Sequence, residues 1–311
     1  MTEALQEMRP NKGQEIGIEK IRKFLSSDDR FFLLEGAAGY GKTSLIKWAL
    51  EKELTMRSEV TIPTGMTAKF PYVIGIALSH KAKNNLQKHS IPYVRTFASA
   101  YGFKEKFLKD GTRVFEPDKF AKEPSVGHHP IPIFVHDEVS QYSDAMKKIV
   151  LDKTSMFSKV IFMGDLAQLP PIDSSMKKDA DSPIFSMDIP EHCRHTLTEP
   201  VRQKEGNPIL ELAYMIREEI FGNHNLNRVI MEILKPKIHE STGYLILPEA
   251  NLFDTYIKTE NYLSNKIIAF RNIAIESKNE TIRNLIFPGT KQKLIIGDLI
   301  CLTNNYASQE K

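Results

Sequence analysis

Residues 31–50, FFLLEGAAGYGKTSLIKWAL, oblige a strand to hand over to a helix through a glycine-rich turn. The run FFLLE has the length and the aromatic and aliphatic content of a buried strand, and TSLIKWAL restarts an apolar pattern at helical spacing. Between them Gly36-Ala37-Ala38-Gly39-Tyr40-Gly41-Lys42-Thr43 matches G-x-x-x-x-G-K-[ST] in the strand-then-helix context that the pattern requires. Backbone N–H groups converge on a phosphate only where the chain curls tightly, which glycine permits. The helix that opens at the turn adds the positive end of its dipole. Lys42 then faces the β- and γ-phosphates, Ser44 follows within the cradle, and the Thr43 hydroxyl is the expected magnesium ligand.

The rest of the chain repeats this strand and helix alternation. PYVIGIALS (71–79), IPIFVHDEV (131–139) and KVIFMGD (159–165) have strand length, and KIIAFRN (266–272) and KLIIGDLICLT (293–303) resume the style later. Strands separated by helical segments imply crossovers, hence an α/β fold with a mostly parallel sheet. Residues 98–130 differ: they are rich in Lys and Pro, and FLKDGTRVFE places Asp110-Gly111 between alternating arms, a hairpin signal. With 311 residues two domains are comfortable. No apolar run is long enough for a membrane span, the N-terminus is too polar for a secretory signal, and Cys193 and Cys301 lack metal or disulfide spacing. A cytoplasmic location and no membrane partner are expected. A net charge of +3 tolerates a polyanionic partner without requiring one.

Two further segments bear on chemistry. In IPIFVHDEVSQYS, Asp137 and Glu138 stand at the C-terminal end of a strand, where open α/β sheets bind ligands. Asp137 is the expected second magnesium ligand and Glu138 the general base for water. In VIFMGDLAQLPPID, Gln168 follows Gly164-Asp165 in a loop stiffened by Pro170 and Pro171. Its amide can donate and accept, as a γ-phosphate sensor must, although Asp165 and Gln168 fit a simple strand-capping turn equally.

GAAGYGKT, DEVS and GDLAQLPP, in this order and spacing, resemble the superfamily 1 helicases of the RecD/Dda-like branch, over about residues 8–303. The resemblance implies a P-loop NTPase with two RecA-like parallel-sheet domains. The first is 1–97 with 130–192, the second 193–311, and 98–129 is a small pin-like hairpin insertion. It implies ATP and Mg2+ as cofactors, hydrolysis in the cleft between the domains, and 5′ to 3′ movement on single-stranded DNA with unwinding at a fork. Replication or recombination proteins such as a single-strand-binding protein are the further partners it implies, in a bacterial or phage-infected cytoplasm. NKGQE resembles the adenine-reading Q motif, which assigns Gln14 to the base. IALSHKAKNNL assigns Ser79, His80 and Lys81 to the DNA backbone, and VRTFASAYG adds Thr96 and Phe97. Helix capping accounts for the hydroxyls at these turns equally simply. TEPVRQKEGNPIL assigns Arg202 as an arginine finger. Arg271 and Asn272 would end a strand of the second domain. At the hairpin insertion Phe97, Tyr101 and Phe103 fit base stacking and core packing alike, and Lys104, Lys106, Lys109 and Arg113 fit a strand grip or a solvated face.

The family pattern continues with an SH3-like insertion and two later motifs, one bearing a second arginine, which are not found before Lys311. The expectation is therefore a fragment with an incomplete second domain. An ATP-driven DNA motor stands against two rivals. One is a nucleotide- and DNA-binding module without turnover. The other is a different P-loop ATPase, such as a clamp-loader-like machine, whose sensor would be a lone Asn, Ser or Thr in place of GDLAQLPP.

Overall fold

A capping box starts the fold. Asn11 Oδ1 accepts the Gln14 N–H at 2.8 Å while Gln14 Oε1 accepts the Asn11 N–H at 3.0 Å, which satisfies two amides at the head of α1 (Lys12–Leu25). The apolar stripe Ile18, Ile21 and Phe24 turns α1 onto the sheet. The computed structural model describes residues 9–61, 67–107, 113–118, 132–171, 181–201, 207–222, 225–233, 237–239, 242–244, 248–258, 267–268, 272–290 and 292. Two compact units divide the chain, Met1–Leu226 and Asn227–Lys311.

In the first unit the order continues β1 (Phe31–Gly36), α2 (Lys42–Ala49), β2 (Arg57–Thr61), β3 (Thr67–Pro71), β4 (Val73–Ala77), α3 (His80–His89), β5 (Val94–Thr96) and α4 (Phe97–Tyr101). Then come β6 (Phe103–Phe107), β7 (Arg113–Pro117), β8 (Ile133–His136), α5 (Asp144–Lys153), β9 (Lys159–Gly164), β10 (Arg194–Leu197) and α6 (Pro208–Phe221). Six strands form one parallel sheet in the order β10-β1-β9-β8-β4-β5. Phe32, Leu33 and Leu34 of β1, and Val160 to Met163 of β9, have no exposed surface, as central parallel strands covered on both faces must. The expected α/β parallel-sheet class is the one observed.

The sheet takes in β10, beyond the expected boundary at 192: Leu33 to Gly36 pair in register with Arg194 to Leu197. Two antiparallel hairpins leave it. β6 and β7 pair Phe103 with Pro117 and Phe107 with Arg113, so arms flank the expected Asp110-Gly111 turn, which lies outside the described residues. β2 and β3 form a second hairpin that the motif reading passes over.

The second unit holds α7 (Leu226–Ile233), a β11–β12 hairpin (Lys237–His239 with Thr242–Tyr244), α8 (Glu249–Lys258) and α9 (Asn272–Ile286). Tyr244 Oη donates to Glu232 O at 3.1 Å, and Lys278 Nζ sits 5.6 Å above the Phe253 ring, joining α9 to α8. The strands expected at 266–272 and 293–303 fall largely outside the described residues, as does Arg271; Asn272 opens α9. Among the described residues no helix is long and apolar enough to cross a membrane.

Candidate nucleotide site

Parallel strands deliver their C-terminal ends to one edge of the sheet, and here that edge collects the motifs. β9 lies between β1 and β8, so its exit loop stands between the phosphate loop and the paired acids. One open cleft of about 1280 Å³ is lined by Lys42, Thr43, Ser44, Asp137, Glu138 and Gln168 together with the phosphate-loop backbone of Ala37, Ala38, Gly39 and Gly41. Gly36 ends β1 at its floor, and Tyr40 is buried beneath the loop.

The loop's shape rests on left-handed backbone at Gly39 (φ 85°) and Gly41 (φ 82°), where side chains are strained. At Gly41 a Cβ would also displace the Gln14 amide and press on Val201 Cγ2 at 3.2 Å. Gln14 is 1% exposed, and its Nε2 donates to Gly41 O at 3.4 Å. Its amide therefore ties the head of α1 to the phosphate loop from behind. The Lys42 ammonium donates to Gly36 O at 2.6 Å and Ala37 O at 3.3 Å. Burial lowers its pKa, and the nearby Asp137 and Asp165 work against that shift.

Asp137 Oδ1 accepts the Glu138 N–H at 2.9 Å. Burial, and then the neighbouring Glu138, push the Asp137 carboxyl up to about 6. A carboxyl with that penalty gains from a cation, and with the Thr43 hydroxyl in the same cleft it makes the hard oxygen set that suits Mg2+. Glu138 is, among the described residues, the one non-glycine at positive φ (φ 55°, ψ 40°). Such backbone costs roughly 1–3 kcal/mol and persists where surrounding structure imposes it, commonly at functional sites. The turn that imposes it packs onto β9 at Gly164, where a Cβ would meet Val139 Cγ2 at 2.8 Å and Phe185 Cζ at 3.0 Å.

Beneath the acids lies a group that the motifs do not announce. His136 is fully buried, with Tyr101 Oη 3.1 Å from Nε2 and Tyr142 Oη 3.0 Å from Nδ1. A neutral ring donates from one nitrogen and accepts at the other, so both ring nitrogens are satisfied. Burial drives the His136 pKa from 6.5 down to about 3. The unfolded chain then takes up a proton in that interval that the folded chain refuses, and stability falls as pH drops from 6.5 toward about 3. Asp137, raised from 3.8 to about 6, acts in the opposite sense between those values. Urea midpoints measured from pH 7 to 4 are expected to fall more steeply for the wild type than for His136→Gln; equal slopes would contradict the assignment.

The nucleic-acid candidates divide. Ser79 Oγ accepts the Ala82 N–H at 3.1 Å and Thr96 Oγ1 the Ser99 N–H at 3.3 Å, so both hydroxyls cap helices. Each keeps its own proton for another acceptor. His80 and Lys81 are exposed in the first turn of α3. Phe97 is a correction: it is 1% exposed and packed on Tyr101, Phe115 and Tyr142 at ring distances of 5.0–5.3 Å, so its face is not offered to a base. Tyr101 is likewise core, and Phe103 packs edge-on against Phe115. Lys104 pairs with Asp118 at 3.2 Å and Lys106 with Glu116 at 2.5 Å, so these hairpin cations are matched by acids. Lys109 lies outside the described residues. Arg202 does too, although Val201 N–H immediately before it donates to Gly39 O of the phosphate loop at 3.0 Å.

The match that decides the family covers residues 11–227, more than half of the chain. The chain belongs to the AAA domain family. It is similar to the ATP-dependent DNA helicase dda of Enterobacteria phage T4, at 26% identity over 94% of this chain and 60% of that protein. It is also similar to an uncharacterized protein of Acanthamoeba polyphaga mimivirus, at 25% identity over 96% of this chain and 61% of that one. The chain thus spans about 60% of the length of these curated relatives. In fold it resembles Bacteroides sp Pif1, solved with ADP-AlF4, with a TM-score of 0.51 at 18% identity, covering 88% of this chain and 56% of that one. The phage relative is by name a DNA helicase, which agrees with the resemblance of the three sequence motifs, and the Pif1 likeness is one of fold.

Proposed function

We propose that this chain is part of an ATP-dependent DNA helicase, a motor that hydrolyses ATP to move 5′ to 3′ along single-stranded DNA and open a fork. The observation that carries the reading is the convergence of Lys42, Thr43, Asp137, Glu138 and Gln168 in one cleft at the strand ends. A bare phosphate-binding module has no use for a carboxylate on left-handed backbone facing the phosphate cradle, or for a sensor loop between them. Similarity to a phage DNA helicase over nearly the whole chain supports the same reading.

In this account the phosphate-loop amides and Lys42 hold the β- and γ-phosphates, with Ser44 beside them. Thr43 and Asp137 hold Mg2+, which would neutralise phosphate charge. Glu138 takes the proton of the attacking water, and Gln168 senses the γ-phosphate. Arg202 completes the charge stabilisation, and Gln14, buried with its amide on Gly41 O, acts through the phosphate loop and not on the adenine itself. Ser79, His80, Lys81 and Thr96 contact the DNA backbone. The sheet domain, with β10 and α6, is the first RecA-like domain, with 98–129 as the pin, and the chain from 227 onward belongs to the second. A bacterial or phage-infected cytoplasm suits such a protein, with a single-strand-binding protein as a further partner.

A motor changes its hold on DNA with the state of its nucleotide. Anisotropy of labelled oligo-dT is expected to give dissociation constants that differ about fivefold or more between ADP and a nonhydrolysable ATP analogue. Tight but nucleotide-independent binding would favour the binding module instead.

A further inference from the structure

Helix α6 starts in the tail of the segment TEPVRQKEGNPIL and runs on beyond it, and it touches two other motifs. Tyr214 and Arg217 are three residues apart and so share one face of the helix. The Tyr214 ring packs against Tyr40 of the phosphate loop, with centroids 6.3 Å apart in an edge-on arrangement. Arg217 Nη1 donates to Asp165 Oδ1 at 2.5 Å. The Asp165 side chain is 5% exposed and that of Arg217 29%, so this is a largely desolvated pair rather than a surface one. The same carboxylate oxygen accepts the Ala167 N–H at 3.1 Å, and the Gln168 N–H donates to Asp165 O at 3.0 Å. The loop that carries Gln168 is therefore built around Asp165, and Asp165 is held from outside the sheet by Arg217.

We propose that α6 reads the nucleotide site, with Arg217 as the positioning residue that sets the Asp165–Gln168 loop against the phosphate loop. Resting on the nucleotide-site reading above, this deepens it. Gln168 can register the γ-phosphate only if its loop has a fixed seat, and the seat is the Asp165–Arg217 pair. Movement of that loop on phosphate loss then passes into α6. Tyr214 keeps the same helix registered on the phosphate loop, so the helix responds to the spacing of the two loops rather than to either alone.

The test compares wild type, Arg217→Met, Arg217→Lys, Asp165→Asn and the double variant Arg217→Met/Asp165→Asn. Trp48 lines the cleft and is the one tryptophan of the chain, so its fluorescence reports binding of MgADP and of Mg-AMP-PNP. Arg217→Met is expected to bind ADP within about twofold of wild type while losing the preference for AMP-PNP, and to show a kcat about tenfold to a hundredfold lower at little-changed KM. Arg217→Lys, which keeps charge without the fork, should fall between. The double variant should be no worse than Arg217→Met. A wild-type ratio of ADP to AMP-PNP affinity in Arg217→Met, a parallel loss of both affinities, or additive losses in the double variant would each overturn the inference alone. A wild-type chain that binds neither nucleotide would overturn the reading of the site and the inference with it.

Discussion

Replacing Glu138 with glutamine is expected to lower ATP turnover by roughly 10²–10⁴-fold while leaving nucleotide binding intact, because the loss is that of a general base. The amide keeps the shape of the carboxylate but cannot take a proton from water. Lys42, Thr43 and Asp137, which hold the phosphates and the metal in this account, are untouched. The backbone adds a second expectation that catalysis alone would not give. At φ 55°, Glu138 occupies a conformation that glycine adopts freely. Left-handed backbone costs other residues roughly 1–2 kcal/mol, against roughly 0.5–1 kcal/mol of extra chain entropy lost by glycine, so Glu138→Gly should gain up to about 1.5 kcal/mol of stability. Such a variant would be more resistant to urea and inactive. A Glu138→Gln chain that turns over at the wild-type rate would remove Glu138 from the mechanism. A Glu138→Gly chain less stable than wild type would remove the strain from the argument.

Phe97→Ala is expected to produce the largest loss of stability, about 3–5 kcal/mol, as for a buried aromatic whose neighbours cannot collapse into the void. The ring sits among Tyr101, Phe115 and Tyr142, which joins α4, the β6–β7 hairpin and the turn after the paired acids. Losing it should loosen all three together, with a fall in Tm on the order of 10 °C. Base stacking makes a different prediction: oligo-dT affinity would drop by roughly 1–3 kcal/mol with the Tm unchanged. Thermal unfolding and oligo-dT anisotropy on one variant separate the two outcomes.

The sheet was legible wherever one local run carried its own signal. β1, β8 and β9 come from largely apolar stretches that lead into Gly, Asp-Glu and Gly-Asp, and each became a central strand with its motif at the exit. β10 was not legible, because Arg194, His195 and Thr196 are too polar and the strand too short for periodicity to register. It is a strand because β1 offers it an edge and His195 Nε2, 2.8 Å from Gly13 O, fastens it to α1. The β2–β3 hairpin did leave a trace in the Pro63-Thr64-Gly65 run between alternating arms, a turn signal that the stronger motifs on either side overshadowed.

Within the site, sequence reading found the residues at strand exits and missed what holds them. Nothing near His136 announces a tyrosine 35 residues earlier, and nothing near Asp165 announces an arginine 52 residues later. Such pairs exist only once the chain has folded. Phe97 shows the complementary failure. An aromatic beside a polar turn looks the same in sequence whether its ring faces a base or the core, and only burial decides between them.

Whether DNA drives the nucleotide site is read from steady-state ATP hydrolysis by the chain, with and without saturating oligo-dT. Stimulation of about tenfold is expected, corresponding to ~1.4 kcal/mol off the activation barrier, and it should disappear in Glu138→Gln. Hydrolysis that oligo-dT leaves unchanged, in a chain that binds both ligands, would contradict the motor and leave a site that holds nucleotide without being driven by DNA.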